Sequence, residues 1–211
     1  MSTSNLKELN EDVMRSIIAR YPRSRSAIMP LLHYVQAISG YVTNEGIEKI
    51  SELLEIETAE VSAVATFYTQ YKRKPVGDYH IGVCTNTLCA IMGGDAIFAA
   101  LKDHLGIEND GVTADGKVSL EHIECNAACD YAPVVMANWE FYDNQTVESA
   151  KSLVDAARAG NPPAPTRGPN RLVTYKEASA VLAGLDDGLA REGVQAGNPT
   201  LLGLKLAKEG K

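Results

Sequence analysis

The stretch that decides the fold runs from Cys84-Thr-Asn-Thr-Leu-Cys89 to Cys125-Asn-Ala-Ala-Cys129, and all four cysteines of the chain lie inside it. The first pair encloses four residues, the second three, and thirty-five residues separate the pairs. A pair this tight grips one metal atom. Two pairs brought together by a fold make a four-thiolate site, suited to a tetrahedral zinc or to a [2Fe–2S] cluster in which each iron takes two cysteines. Structural zinc knuckles commonly enclose two residues, as neither pair here does, and the spacing favours the cluster. A thioredoxin-type dithiol needs Cys-x-x-Cys, which is absent. A Rieske centre needs two histidines in place of two cysteines; His33, His80, His104 and His122 do not alternate with the cysteines in that way. His122 lies three residues before Cys125, but a strand histidine is usually packed or solvated.

Working outward, Tyr79-His-Ile-Gly-Val83 is a β-type run ending at Cys84. After Gly93-Gly94-Asp95, the residues Ile97, Phe98, Leu101 and Leu105 recur at helical spacing, with Asp95 as a cap and Gly106 as a stop. Ala114-Asp-Gly-Lys117 is a hairpin-type turn, and Val118 to Ile123 alternates as a strand running into Cys125. Pro133 to Ala137 and Trp139 to Tyr142 follow as a strand pair, and Thr146 caps a last helix carrying Val147, Ala150, Val154 and Ala157. This order, close to β-α-β-β-β-α, is the layout of a thioredoxin-like α/β sandwich. In it both cysteine pairs fall where a strand meets a loop at one end of the sheet. The loop residues Thr85, Asn86, Thr87, Asn126, Ala127 and Ala128 are small enough for backbone N–H groups to approach the sulfurs.

Residues 1–74 read as a four-helix bundle. Its apolar stripes are Leu6, Leu9, Val13 and Ile17; then Ile28, Leu31, Leu32, Val35 and Ile38, closed by Gly40; then Ile47, Ile50, Leu53 and Leu54 behind a Thr43 or Asn44 cap; then Val61, Val64, Ala65 and Tyr68 behind a Thr58 cap. The last two helices resemble a helix-turn-helix, but the first turns of the fourth offer no basic residue to a base edge. Residues 75–160 form the thioredoxin-like domain. Residues 161–211 are a proline-rich linker, Asn161 to Asn170, and an extended arm with one short helix within Glu177–Leu185. Seven Lys or Arg stand against five Asp or Glu from Gly160 on, and the leucines at 201, 202, 204 and 206 suit docking on a partner. The whole chain carries a net charge of −7, which argues against nucleic acid as the main partner. No apolar run approaches the ~20 residues of a membrane helix, and the N-terminus has no secretory or organellar pattern, so a cytoplasmic chain with reduced thiols is expected.

These residues resemble the E-subunit family of NADH–quinone oxidoreductase, the small thioredoxin-like [2Fe–2S] component of respiratory complex I. Tyr41-Val-Thr-Asn-Glu-Gly-Ile47 and Val64-Ala-Thr-Phe-Tyr-Thr69 are similar to its helical part. Cys84–Cys89 and Glu124-Cys-Asn-Ala-Ala-Cys-Asp-Tyr-Ala-Pro133 are similar to its cluster loops. The resemblance spans about residues 5 to 170. It implies one [2Fe–2S] cluster on Cys84, Cys89, Cys125 and Cys129, exchanging single electrons with FMN on a partner flavoprotein subunit that oxidises NADH. It implies a second partner in the large iron–sulfur subunit, within a peripheral arm on the cytoplasmic face of a membrane-bound complex. The family more often has a glycine where this chain has Ala127 or Ala128. The runner-up readings are a diaphorase subunit of an NAD-linked hydrogenase or formate dehydrogenase, and a zinc-stabilised adaptor.

Overall fold

The computed structural model describes residues 8–189 and 191–210. The chain divides into two units, one ending at Val76 and taking back Val173–Gly188, the other comprising Gly77–Leu172 and the segment from Leu189 onward.

The first unit opens with α1 (Glu11–Ile18), started by Asn10, whose side chain accepts from the Val13 N–H. Leu6, expected on the same stripe, lies outside the described residues. A 3-10 turn (Ser24–Ala27) leads into α2 (Ile28–Ser39). Most of α2 is buried, and Leu31, Leu32, Tyr34 and Val35 are fully enclosed, as a helix at the centre of a helical unit must be. Gly40 ends it at φ 81°. Next come α3 (Asn44–Leu54), capped by Thr43 through the Gly46 N–H, and α4 (Thr58–Phe67). Thr58 does not cap α4. The extended residue before the helix is Glu57 (φ −70°, ψ 142°), which puts Thr58 inside the first turn.

In the second unit β1 (Tyr79–Cys84) leads through α5 (Thr87–Ile91) and α6 (Gly94–Leu105) to β2 (Gly111–Val112) and β3 (Val118–Ile123). Then follow β4 (Val135–Ala137), β5 (Glu140–Tyr142) and α7 (Val147–Arg158). The sheet order is β2-β3-β1-β4-β5, with β1 and β3 parallel and every other pairing antiparallel. Parallel neighbours need a helical crossover, and α6 supplies it. Asp95 does not cap α6 either: Gly93 holds the cap position at φ 113°, and Asp95 sits in the first turn, where its charge suits the helix dipole. Thr146 caps α7 in a reciprocal pair with Ser149.

The period-2 alternation of the strands splits this core into two faces. Ile81, Val83, Val118, Leu120, Val135 and Ala137 pack with Ile97, Leu101, Leu153 and Val154 of α6 and α7. On the other side Ile123, Val134 and Met136 gather with Cys84, Cys89, Ala128 and Ala132.

The C-terminal region departs from an extended arm. Thr174 and Glu177 cap α8 (Tyr175–Leu182) reciprocally, and Ala180, Ala183 and Leu185 join the helical core around α2. The buried Gln36 amide donates to Gln70 O (3.1 Å) and Ser179 Oγ (3.3 Å) and accepts from the Lys72 N–H (2.8 Å), so α8 completes a polar site inside that unit. The proline-rich stretch is also tied down. Tyr142 Oη donates to Pro163 O (2.7 Å), and the Thr166 N–H donates to Phe141 O (2.9 Å). A final helix, α9 (Asn198–Lys208), opens with Pro199 in its first turn. Its 3.6-residue pattern is hidden in sequence by consecutive leucines, and all its residues are exposed.

Candidate metal centre

The parallel register pairs Cys84 with Ile123. Cys84 is therefore the last residue of β1, and Cys125 lies two residues past the end of the neighbouring strand, at the same end of the sheet. Cys89 follows on α5. Cys129 opens a 3-10 turn, Cys129–Tyr131, that ends the second loop. All four cysteines line one small space, together with Asn126, Ala128 and Val134. Among the described residues no three His, Cys, Asp or Glu side chains gather on a single-ion point. No histidine lines the space. His122 is exposed, with its ring edge-on to Phe98 on the helix side of β3 (6.1 Å between centroids). The buried His80 is held by Ser119 Oγ (2.9 Å) and Glu121 Oε2 (2.8 Å).

The two pairs differ in exposure. Cys84 and Cys89 are buried, whereas Cys125 and Cys129 are exposed, their sulfurs 3.8 Å apart. Burial pushes the Cys89 thiol up to about 11, against a partial opposing effect of the Val134 N–H, which hydrogen-bonds to it. Cys129 is also raised, first by its hydrogen bond with Cys125, then by the charges of Cys125, Cys84 and Asp130. Crowded thiols of this kind resist losing protons one by one. A multiply charged metal centre reverses that balance, because a coordinating thiol is deprotonated outright. Four soft sulfur donors, paired two and two, fit zinc or an iron–sulfur cluster.

The supporting residues were only partly visible in sequence. Asn86 Nδ2 donates to Ile123 O (3.1 Å) and lies 4.0 Å from Cys84 Sγ, which locks the first loop to the end of β3. Gly94 is needed for closeness: a Cβ there would strike the carbonyl oxygens of Cys84 and Cys89. The Gly93-Gly94 pair thus serves the turn that folds α6 against the first ligand loop. Ala127, in the second loop, adopts φ 54°, a conformation natural to glycine.

A family model described as thioredoxin-like [2Fe–2S] ferredoxin matches residues 14–158. The chain is 57% identical over 196 residues to the E subunit of the NADH-quinone oxidoreductase of Mycobacterium bovis, covering 92% of this chain and 77% of the relative. It is 41% identical over 152 residues to the E subunit of the same enzyme from Rickettsia bellii, covering 71% and 91%. Among solved structures, an air-oxidized NAD+-reducing [NiFe]-hydrogenase superposes with a TM-score of 0.57 at 20% identity. That match covers 67% of this chain and a quarter (25%) of the hydrogenase chain, and it speaks to fold alone.

Proposed function

This chain belongs to the thioredoxin-like [2Fe–2S] ferredoxin family, and from that premise we propose that it is the electron-transfer subunit of an NADH–quinone oxidoreductase, with its ligands at Cys84, Cys89, Cys125 and Cys129. The observation that carries the reading is the single space lined by four thiols from two loops. A [2Fe–2S] cluster supplies one-electron exchange there, with no bond made to a substrate. The chain's own residues hold and tune it. Four thiolates provide the ligands, the Val134 N–H and Asn86 Nδ2 offset sulfur charge, and burial of Cys84 and Cys89 lowers the local dielectric. Exposure of Cys125 and Cys129 marks the side on which a redox partner comes nearest.

NADH and FMN are assigned to a neighbouring flavoprotein subunit, and the large iron–sulfur subunit is the second neighbour. Within the helical unit, Phe67 (77% exposed) and Tyr68 (43%) form an aromatic patch suited to such a contact, as do the exposed leucines of α9. The first turn of α4 carries Glu60 and no base, which favours protein over DNA. No helix among the described residues is long and apolar enough to cross a membrane. We place the chain in a peripheral arm at the cytoplasmic face.

The test is spectroscopic. The purified chain should be reddish-brown, with equal iron and sulfide and an EPR signal on reduction; in the complex, NADH should produce that signal only through the flavoprotein. A colourless chain with one zinc would overturn the reading in favour of an adaptor. Isolation with hydrogenase or formate dehydrogenase subunits would redirect it to a diaphorase.

A further inference from the structure

The arm expected to reach for a partner returns to the chain's own second cysteine loop. Thr200 Oγ1, in the first turn of α9, donates to Asp130 Oδ2 at 2.6 Å, and Asp130 directly follows Cys129. Gly197, the residue before α9, lies so near Tyr131 that any Cβ would strike the phenol oxygen. Arg167 stacks over the Tyr131 ring (5.0 Å) and the Phe141 ring (4.1 Å). Its guanidinium forms a two-pronged pair with the buried Asp143, Nε to Oδ2 at 3.0 Å and Nη2 to Oδ1 at 3.1 Å. Thr166 Oγ1 bonds the same carboxylate at 2.9 Å. The two segments are themselves joined, Gly168 N–H to Val194 O at 3.0 Å. The turn Cys129–Tyr131 is thus held between residues 166–168 and 194–200, all from the chain beyond the matched family segment.

We propose that Arg167 and Thr200 are positioning residues of an intramolecular strap, which fixes the Cys125–Cys129 loop and offsets the Asp130 charge beside it. The inference rests on the cluster reading above. An exposed thiol pair on a loop opens easily, and a strap that orders the loop slows loss of whatever the thiols hold. The Asp130 carboxylate would favour the oxidised, more positive state. A hydroxyl donated to it weakens that effect and raises the potential.

The experiment uses the full chain loaded with its cluster. It measures the rate of cluster loss to an iron chelator and the midpoint potential by EPR-monitored titration. Thr200→Val should speed loss about tenfold, the scale of one hydrogen bond to a charged group, and lower the potential. Thr200→Ser should restore both. Arg167→Gln leaves Asp143 as an unpaired negative charge and should lower the potential further; adding Asp143→Asn removes that charge and should bring the potential back towards the wild type. If Arg167→Gln fails to fold, the Thr200 pair decides alone, because its side chain is on the surface. Unchanged loss rate and potential in Thr200→Val, in a chain whose wild type shows the cluster, overturns the strap. A wild-type chain that never takes up the cluster overturns the reading beneath it instead.

Discussion

Cys84 and Ile123 are register partners on adjacent parallel strands, and that pairing brings both cysteine loops to one end of the sheet. A one-residue slip would turn Cys84 towards the α6 and α7 face and leave Cys125 on the other. The site thus depends on the register, and the register depends on the apolar alternation of β1 and β3.

Each cysteine should be indispensable. Replacing any one of Cys84, Cys89, Cys125 or Cys129 by Ala removes a sulfur from the shared space. The expected outcome is loss of iron and of the EPR signal in every variant. Ser is a weaker probe because its oxygen still ligates. Full iron content with an unaltered spectrum in any of the four Ala variants would remove that residue from the ligand set.

Gly94→Ala should damage the site without touching a sulfur. The added methyl has nowhere to go, since backbone carbonyls of Cys84 and Cys89 occupy its place and backbone does not swing aside. Overpacking of this kind costs about 1–3 kcal/mol. The variant should lower the denaturation midpoint and alter the spectrum through the displaced first loop, whereas Gly93, whose Cβ position is open, needs its glycine only for φ. A Gly94→Ala chain with wild-type stability and spectrum contradicts the close approach.

Neighbouring alanines of the second loop should respond to glycine with opposite signs. Ala127 sits at φ 54°, where an L-residue loses about 1–2 kcal/mol and glycine does not. After the extra chain entropy of glycine, Ala127→Gly should stabilise by roughly 0.5–1 kcal/mol. Ala128 is 5% exposed and has φ −108°, so Ala128→Gly gains nothing and loses a packed methyl. Chemical denaturation of the two variants checks this; a shift of the same sign in both defeats it.

Much of this was legible in the chain. Helical periods placed α1 to α4, α6 and α7, one alternating run placed β3, and short apolar β-type runs placed β1, β4 and β5. The paired cysteines marked the site because thiols at that spacing have few other uses. Long-range geometry was not legible. Nothing in the spacing of Gly94 tells that Cys84 and Cys89 carbonyls press on it. α8 read as an isolated short helix because its partners, Gln36 and the α2 surface, lie more than a hundred residues away. Caps failed at Thr58 and Asp95 for a local reason: an earlier residue, Glu57 in one case and Gly93 in the other, took the non-helical conformation first. α9 escaped detection because Gly203 and adjoining leucines break the apolar stripe.

His33 should give the helical unit an acid-sensitive stability. Its side chain is 5% exposed, its ring lies against Tyr71 with centroids 4.7 Å apart, and its buried Nδ1 has no hydrogen-bond partner among the described residues. Burial holds its pKa down, to about 4 from 6.5. The folded state thus prefers the neutral ring, and the unfolded chain binds the proton more readily. Stability from this group is fully present above the unfolded value near 6.5, falls as the pH drops below it, and is lost by the folded value near 4. A depression of that size corresponds to roughly 3 kcal/mol. Carboxylates titrate in part of the same range, so the comparison must be between chains. A His33→Leu variant should lose less stability than the wild type between pH 7 and pH 4, by about 2–3 kcal/mol in denaturant titrations. Parallel pH profiles for the two chains would show that His33 is not the group that titrates.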